Sequence, residues 1–498
     1  MQTISIKNNQ PIQVSSIPEL NYPEFFALNT GLVAEKPERH CVNYFGYPVQ
    51  NQIKLICCIA DDSDQVIHIS SCTAKQSDQL PSFTAKLFSF EKFEREIHEN
   101  FGLIYTDHPW LKPVRYPFDR YDPNRHIANY PFYSIDSEEL HEVGVGPIHA
   151  GVIEPGHFRF ICNGEQILHL EIQLGYQHRG IEKLFLKTKE LSQLSTLSEN
   201  IAGDTVVGHT TAFAQIWESL CGLKTSREID FSRTIALELE RIAIHTGDLS
   251  ALCTDIAYQL GSSVYGRLRT PIVNFMQEWC GNRLSKGLIR PGQNRFPFTP
   301  ELAKRLNQVL DNFEPDFQEM NKQLFNLPSA LSRFERTGVV SFEDASAIGT
   351  VGMAARTSGV LRDIRSSHPH SLYPELHHEA NVKRHGDVYS RVQLRKNEVV
   401  QSIGYLRKLI SDLPETSELS EISLPGENLF TLSLVEGWRG EICHAAITGP
   451  KGELIHYKIK DPSFHNWLAL ALSVRNNEIS DFPICNKSFN LSYAGHDL

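Results

Sequence analysis

A proline-rich stretch divides the chain into two parts of different character. Pro113, Pro117, Pro123 and Pro131 stand among Asp, Arg and Asn residues, a composition that disfavours regular structure and suits a linker. The chain has 498 residues, too many for one compact core, so two or three domains are expected. We place the linker at residues 116–139.

The part before the linker mixes strands with one helix. Apolar runs at Ile53–Ala60 and Val66–Ser71 predict strands, and the apolar spacing from Phe83 to Asn100 predicts a helix. Cys57 and Cys58 lie in the first run and are interpreted as buried strand residues.

The part after the linker is mainly helical, and its most informative helix is predicted within Ser226–Leu260. Asp230 and Ser232 are its candidate N-caps, and Gly261 is its natural end. Two interpretations of the polar stripe on this helix stay open. It is a solvated face with salt bridges, or it is a ladder lining a proton path or cavity. The stripe comprises Glu238, Arg241, His245, Asp248 and Asp255.

Several short strings in the helical part are rich in Gly, His and ionisable residues. Glycine permits close backbone approach, while His, Glu and Arg in a partly dry site hold charge or move protons. Each string alone is a weak signal, since a single histidine is more often a hydrogen-bonded structural residue than a ligand. The strings single out His149, Glu154, His157, His178, Arg179, His209, Arg356, Asp363 and Arg365.

Charge and cysteine content exclude several classes of function. The net charge of −11 argues against nucleic acid as a partner, because phosphate binding needs a concentrated basic surface. None of the ten cysteines stands in a CxxC pair, the commonest local frame for zinc or iron–sulfur binding. There is no secretion signal, no apolar run of spanning length and no GxGxxG between a strand and a helix. A cytoplasmic chain that has no disulfides and binds no NAD itself is therefore expected.

Taken in order, the strings resemble one protein family. GPIHAGVIEPGHFRF followed by LGYQHRGIEKLF resembles the opening of the large subunit of group 4 membrane-bound [NiFe]-hydrogenases, including the formate hydrogenlyase type. It also resembles the homologous D-type subunit of NADH-quinone oxidoreductase (complex I). The similarity continues through ELERIAIHTGDLSALCTD, GLIRPG, FERTGVVSFEDA, AARTSGVLRDIR and GDVYSRVQLRKNEVVQS to DPSFHNWLALAL. FEREIHENFGLIYTDHPWL, before the linker, is similar to the C-type subunit.

This resemblance implies an α+β fold in two domains. Residues 1–115 would form a small α/β domain of the C-subunit type. After the linker at 116–139, residues 140–498 would form a mainly α-helical domain like the hydrogenase large subunit. A fusion of C- and D-type parts is the arrangement of the formate hydrogenlyase type.

The chain departs from the family where the hydrogenases bind metal. They hold nickel and iron with four thiolates from two CxxC motifs, and soft thiolates suit this metal pair. The aligned positions here are Ala202, Thr205, Cys485 and Ser488. The resemblance therefore implies that the NiFe centre is absent and that hydrogen is not activated. A zinc site of Cys485 with Asp204 or His209 is a weaker alternative to a leftover buried thiol.

The quinone-binding pattern of the D-type subunits is also altered. Gly203 falls at the position of the tyrosine that holds the quinone headgroup. His149, Glu154 or His157 would replace the quinone-binding histidine, and Glu154 also matches a proton-transferring glutamate of the hydrogenases. Asp255 matches the helical aspartate that partners the quinone-binding histidine.

Two functions follow from the resemblance. The first is a peripheral-arm large subunit of a complex I- or hydrogenase-like oxidoreductase, which couples electron transfer to proton handling. Its proton-handling candidates are Glu154, His157, His209, His245 and Asp255. A cavity facing a quinone or a partner's cluster would be lined by His149, His178, Arg179, Arg356 and Asp363.

The same resemblance implies partners and a location. A [4Fe–4S] cluster would lie in an iron–sulfur small subunit, NAD would enter only through other subunits, and antiporter-like membrane subunits would hold the complex on the inner membrane. The chain would thus be cytoplasmic and peripheral. The second function is a non-redox structural or coupling subunit of a complex that transports ions or inorganic carbon.

Overall fold

The computed structural model describes residues 2–76, 78–150, 153–415 and 422–498. The fold is α+β, as predicted, and the string that opens the family resemblance contains Gly151 and Val152, which lie outside the described residues. The strands before the linker are β1 (Ile4–Ile6), β2 (Ile12–Gln13), β3 (Glu19–Leu20), β4 (Arg39–Val49), β5 (Gln52–Asp61), β6 (Val66–Ala74), β7 (Gln79–Pro81) and β8 (Ile104–Thr106), and the helices are α1 (Tyr22–Glu35) and α2 (Glu91–Phe101).

Five of these strands form one sheet, which we call the N-terminal sheet. Its order is β1-β6-β5-β4, antiparallel throughout, and β3 pairs in parallel with β6. The two predicted strands are confirmed as β5 and β6. Cys57 and Cys58 are buried in β5, and all ten cysteines of the chain are free thiols.

The predicted start of the helix at Phe83 is wrong, because α2 begins at Glu91. The preceding residues fold back onto the helix, where the carboxylate of Glu94 accepts the backbone N–H groups of Phe83 (2.7 Å) and Thr84 (3.1 Å). A 3-10 turn at Phe88–Phe90 joins this loop to the helix. Buried aromatic residues in the loop give it an apolar spacing like that of a helix.

After the linker the chain alternates small sheets with many helices. The strands are β9 (His141–Val145), β10 (His157–Asn163), β11 (Gln166–Gln173), β12 (Ile289–Arg290), β13 (Gln293–Asn294), β14 (Leu429–Glu436), β15 (Glu441–Thr448) and β16 (Leu454–Lys460). The first helices are α3 (Ile181–Lys187), α4 (Leu191–Ser198), α5 (Val206–Leu220), α6 (Arg227–Asp255), α7 (Gln259–Cys280), α8 (Pro300–Leu324), α9 (Pro328–Phe334) and α10 (Phe342–Ala347). They are followed by α11 (Gly352–Thr357), α12 (Ile364–Ser367), α13 (Tyr373–Leu376), α14 (Val388–Ile410), α15 (Ser463–Ser473), α16 (Phe482–Phe489) and α17 (Tyr493–Asp497).

Helix α6 confirms the predicted long helix but not its caps. Its N-cap is Ser226, whose hydroxyl accepts the backbone N–H of Ile229 (3.3 Å), so Asp230 and Ser232 lie inside the helix. The helix stops because Ala257 turns into a left-handed conformation (φ 59°). Gly261 then lies within α7 rather than ending α6.

The beginning and the end of the chain share one core. Strand β2 pairs with β14 through Gln13 and Leu429, and one hydrophobic cluster joins the N-terminal sheet to strands β14 and β15. This packing brings the N-terminal sheet next to the ionisable residues described below. The domain boundaries at 115 and 140 stay a prediction. Among the described residues, no helix combines the length and apolar character needed to cross a bilayer.

Candidate functional site

The polar stripe of α6 faces the protein interior. Glu238, Arg241 and His245 are fully buried, and Asp248 is 2% exposed. Helix α14 packs along this face. The interpretation as a solvated face is therefore wrong about solvent, although it is right about salt bridges. Asp255 lies outside the buried part, exposed at the end of the helix.

Residues from five parts of the chain meet the stripe and form what we call the charge cluster. The contributing elements are α6, α11, the segment that contains α12, α14 and β14. Each member is at most 1% exposed. The cluster comprises Glu238, Arg241, His245, Arg356, Asp363, Arg365, Glu398 and Glu436.

Glu398 is the centre of the charge cluster. One of its carboxylate oxygens accepts from Arg356 Nη2 (2.5 Å) and Arg365 Nη2 (3.0 Å). The other contacts His245 Nε2 at 2.8 Å. Burial alone would raise the pKa of Glu398, but three guanidinium groups, led by that of Arg356, outweigh it and hold the pKa well below its usual range. Glu398 is therefore ionised.

Glu436 is the member of the charge cluster that titrates near neutrality. It accepts from Arg356 Nη1 (2.7 Å) and from the backbone N–H of Ile364 (3.1 Å). Burial, followed by repulsion from Asp363, raises the pKa of Glu436 to about 7. Four carboxylates face three guanidinium groups in the cluster, so one proton on Glu436 makes the charges equal.

Thr205 and Ser488, two of the four cysteine-aligned positions, are hydrogen-bonded to arginine. Arg439 Nη1 donates to the hydroxyl of Thr205 (3.0 Å), and Arg391 Nε donates to that of Ser488 (2.8 Å). Burial raises the pKa of the Cys485 thiol to about 12, so it carries its proton.

This donor set does not fit a NiFe centre. Only Cys485 of the four positions carries sulfur, so at most one thiolate of four is available. The guanidinium of Arg391, which contacts hydroxyl and carbonyl oxygens, repels a metal cation. The zinc alternative has no better support, since Asp204 binds Arg439 and His209 binds Asp461. In the described part of the chain, no group of three or more His, Cys, Asp or Glu residues could hold a metal ion.

A polar path connects the cysteine-aligned positions to α6. Arg439 contacts the half-exposed carboxylate of Asp204 and donates through Nε to the carbonyl of Asn490 (2.5 Å). The amide of Asn490 donates to Asp248 (2.8 Å), which lies one helical turn beyond His245. The path thus runs from the protein surface to the edge of the charge cluster.

His209 lies apart from the charge cluster in a buried chain of hydrogen bonds. Its Nε2 contacts Asp461 at 2.9 Å, and its Nδ1 contacts His444 Nε2 at 3.1 Å. His444 Nδ1 in turn contacts the hydroxyl of Tyr457 at 2.8 Å. Both ring nitrogens of His209 therefore have partners, as in a structural histidine.

Glu154, His149 and Arg179 converge near the start of α17. The carboxylate of Glu154 accepts the backbone N–H of Ala494 (3.0 Å), and His149 Nε2 lies 3.3 Å from the hydroxyl of Tyr493. Burial lowers the pKa of Arg179, while the charge of Glu154 opposes this shift. These three residues form a second, more exposed group.

The remaining sequence-predicted residues stand separately. His178 Nδ1 contacts the carbonyl of Asp497 at 2.8 Å. The ring of His157 lies 5.1 Å from that of Phe132, a linker residue. No hydrogen bond or ion pair joins Asp255 to another described residue. The structure thus brings together His245, Arg356 and Asp363 but not the whole predicted set.

Comparisons with known proteins agree with the sequence motifs. Residues 259–430 match the family described as respiratory-chain NADH dehydrogenase, 49 kDa subunit. Hydrogenase-4 component G of Escherichia coli (strain K12) is 26% identical in an alignment of 448 positions that covers 86% of this chain and 78% of that protein. The C/D subunit of the NADH-quinone oxidoreductase of Phocaeicola vulgatus is 26% identical in an alignment of 457 positions that covers 84% of this chain and 86% of that protein. The chain is a homologue of these complex I-type and hydrogenase-type large subunits.

A solved structure shows the same fold. The membrane-bound sulfane sulfur reductase, an archaeal respiratory membrane complex, contains a chain with a TM-score of 0.68 and 20% identity. The match covers 74% of the present chain and 100% of that chain. This match shows the fold, and together with the sequence comparisons above it confirms the resemblance drawn from the motifs.

Sequence reasoning missed two members of the charge cluster in this large-subunit homologue. Glu398 carries a signal that could have found it, because Arg391, Arg395, Glu398 and Ser402 follow one another at helical spacing on α14. Glu436 carries none. It ends a strand that is buried on both faces, so alternation does not mark it.

Proposed function

We propose that the chain is the peripheral-arm large subunit of a membrane-associated, hetero-oligomeric oxidoreductase of the complex I or hydrogenase type, and that it handles protons without a NiFe centre. The charge cluster carries this proposal. Taking charges out of water costs several kcal/mol per ion. A protein with well-packed apolar residues in place of a buried ion pair is often at least as stable. A buried cluster with one carboxylate in excess is therefore better explained by proton chemistry than by stability.

The residues of the cluster have distinct parts in this proposal. Glu436 takes up and releases the excess proton. His245 is neutral because burial lowers its pKa, and its Nε2 carries a proton toward the ionised Glu398. In the described part of the chain, Nδ1 of His245 has no hydrogen-bond partner. It can accept a proton there from the side of Asp248 while Glu398 stabilises the imidazolium.

Similarity to hydrogenase components and to C/D-type chains supports the proposed partners. They are an iron–sulfur small subunit with a [4Fe–4S] cluster and antiporter-like membrane subunits, which would place the chain on the cytoplasmic side of the membrane. A quinone at an altered site is the candidate acceptor. A Cβ on Gly203 would meet no atom within 4 Å, so this position offers space but no hydroxyl, and NAD would bind only to other subunits.

Purification of the tagged chain from membranes tests the proposal. We expect an iron–sulfur subunit and membrane subunits to co-purify, with iron present and nickel absent by elemental analysis. One nickel per chain, or hydrogen evolution, would overturn the account of the cysteine-aligned positions. A chain that purifies without partners would overturn the assignment to a complex.

Proton handling needs its own test in the purified complex. Glu436→Gln keeps the shape of the side chain but cannot titrate, so we expect it to abolish proton uptake coupled to turnover. Glu319→Gln on the exposed face of α8 is the matched control and should behave as wild type. Equal proton uptake by both variants would refute the part given to Glu436.

A second function is favoured by the arginines at the cysteine-aligned positions. Arg439 and Arg391 donate hydrogen bonds to Thr205 and Ser488 at these positions. We therefore propose, as the alternative, a non-redox structural or coupling subunit for ion or inorganic-carbon transport. The same purification distinguishes the two. A complex with membrane subunits but no iron–sulfur signal in electron paramagnetic resonance would favour the alternative.

A further inference from the structure

One short segment joins the charge cluster to the N-terminal sheet. Residues 362–368 contain α12, and their side chains face two sides. Asp363 and Arg365 point into the charge cluster, where they contact Arg356 and Glu398. The neighbouring residues of the segment face the N-terminal sheet. We call residues 362–368 the bridging segment.

Asp62, on the turn between β5 and β6, contacts both ends of the bridging segment. Its Oδ1 lies 3.2 Å from Nε2 of His368, and its Oδ2 lies 3.6 Å from Nε of Arg362. The same turn contacts the middle of the segment, since the amide of Gln65 donates to the carbonyl of Ser366 (3.3 Å). One turn of the N-terminal sheet thus spans the whole segment.

Further contacts hold the same segment against the beginning of the chain. The amide of Asn8 donates to the carbonyls of His368 (3.0 Å) and Leu434 (2.9 Å). Leu434 lies on β14, which also carries Glu436. Ile364 is fully buried in the hydrophobic cluster that the N-terminal sheet shares with β14 and β15. The bridging segment therefore lies between the sheet and the charge cluster.

The polar groups around Asp62 are close but poorly aligned for hydrogen bonds. Within the described residues, Oδ1 of Asp62, Nδ1 of His40, Nε of Arg362 and both ring nitrogens of His368 have no aligned partner. Buried polar groups are normally paired, so bridging water is expected here. Burial would raise the pKa of Asp62, but His40 and the other basic neighbours keep it below its usual range. Asp62 is therefore ionised.

We propose that Asp62 is a positioning residue which, by holding both ends of the bridging segment, fixes Asp363 and Arg365 in the charge cluster. The N-terminal sheet then belongs to the same unit as the charge cluster. The positioning itself rests on geometry. Only its consequence for protons rests on the proposed function.

Hydrogen exchange of the full-length chain tests the positioning. The backbone N–H groups of residues 365–368 bond to Asp363 and Ile364, so their exchange reports whether the segment stays folded. Asp62→Asn should raise their exchange rate by about tenfold or more.

The neighbouring carboxylate offers a matched control. Asp61 is also buried, but among the described residues it has no hydrogen bond or ion pair with the bridging segment. Its Oδ2 accepts from Arg39 (2.7 Å), and its Oδ1 accepts from Ser63 (2.6 Å) on the turn, a bond that the side-chain oxygen of asparagine retains. Asp61→Asn should therefore leave exchange of the bridging segment within about twofold of wild type. An unchanged rate in Asp62→Asn, or an equal rise in both variants, overturns the proposal. Should Asp62→Asn not fold, Gln65→Ala replaces it, with an expected rise of about threefold and the same two contradicting outcomes.

A second measurement separates positioning from general loosening. The protonated carboxyl band of Glu436 can be followed by infrared spectroscopy as the pH is changed. The midpoint of this titration should shift by more than about half a pH unit in Asp62→Asn and stay unchanged in Asp61→Asn. An unchanged titration midpoint in Asp62→Asn overturns the proposal even if the exchange rate rises. The charged groups that face Glu436 are Arg241, Arg356, Asp363 and Arg365.

The two proposals fail in different ways. If the exchange and infrared results hold while Glu436→Gln still moves protons in the complex, the positioning by Asp62 stands and the proposed function falls. If Glu436→Gln loses proton uptake while hydrogen exchange of the bridging segment is unchanged in Asp62→Asn, the function stands and the positioning falls.

Discussion

The charge cluster and the cysteine-aligned positions are both buried, and guanidinium groups contact both. They differ in what those groups meet. In the cluster, Arg356 faces three carboxylates. At the cysteine-aligned positions, Arg391 meets the hydroxyl of Ser488 and the backbone carbonyls of Gly338 and Gly386. Burial accordingly lowers the pKa of Arg391 to about 10.

This difference concerns the electrostatics of the two regions. Hydroxyl and carbonyl groups satisfy Arg391 without balancing its charge, whereas Arg439, beside Thr205, is paired with the carboxylate of Asp204. The Ser488 side of the second region therefore keeps a positive potential where a metal ion would need soft anions. The first region holds nearly balanced charges and can gain or lose one proton at little electrostatic cost. The two regions therefore differ in charge balance although both are buried.

The largest expected effect comes from removing the centre of the charge cluster. Glu398→Ala removes one of the two carboxylates that Arg356 and Arg365 share, the other being Asp363, and breaking a buried ion pair costs about 3–5 kcal/mol. We expect the free energy of unfolding in urea to fall by this amount. The exposed Glu319→Ala should change it by no more than about 0.5 kcal/mol. Similar losses in both variants would break the comparison, since the cluster would then not depend on its charges.

The next effect is the pH dependence that Glu436 confers. Its pKa in the folded protein, about 7, lies above the ordinary value of 4.5, so the folded state binds a proton more tightly than the unfolded state. The stability from this proton is complete below about pH 4.5 and is lost as the pH rises through about 7. The loss is about 3 kcal/mol, to order of magnitude.

Glu436→Gln should remove this slope. Between about pH 5 and about pH 8, the free energy of unfolding of wild type should fall by about 2.5 kcal/mol more than that of Glu436→Gln. Urea unfolding at both pH values measures the difference. Parallel curves for the two proteins would mean that Glu436 does not hold the excess proton, and the first region would lose its distinguishing property.

A smaller effect is expected at the cysteine-aligned positions. Ser488→Ala removes a hydrogen bond to the charged Arg391, and such bonds contribute about 1.5–3 kcal/mol. The exposed Ser480→Ala serves as control and should be nearly neutral. If Ser488→Ala is neutral as well, Arg391 does not depend on this hydroxyl, and the contrast between the two regions is weaker than the hydrogen bonds indicate.

The fold was largely readable from the sequence, because motif order and helical spacing are local properties. The stripe on α6 shows this, as three of its members lie in the charge cluster. Its burial was not readable, since spacing marks one side of a helix without telling what covers it. Helix α14 covers this side, and its own stripe supplies Glu398. The two stripes belong together, but only the folded chain brings them into contact.

The candidate site was readable only in part for the same reason. Strings of Gly and His mark close backbone approach but not the partner of each side chain. His209 belongs to a separate hydrogen-bonded chain with Asp461. Asp62 carries no local signal, because its contacts with Arg362 and His368 join residues about 300 positions apart, beyond the reach of any local pattern.

The smallest expected effect concerns Asp255, which shares the sequence stripe of the charge cluster but not its burial. Because the side chain is exposed at the end of α6 and forms no hydrogen bond or ion pair with another described residue, Asp255→Asn should change the free energy of unfolding by no more than about 0.5 kcal/mol. Asp248→Asn on the same helix is the matched comparison. Its buried carboxylate binds Arg395 (3.1 Å) and Asn490 (2.8 Å), so we expect a loss of about 3–5 kcal/mol. Equal losses of unfolding free energy in Asp255→Asn and Asp248→Asn, measured by urea unfolding, would mean that the buried network reaches the end of the helix and includes Asp255.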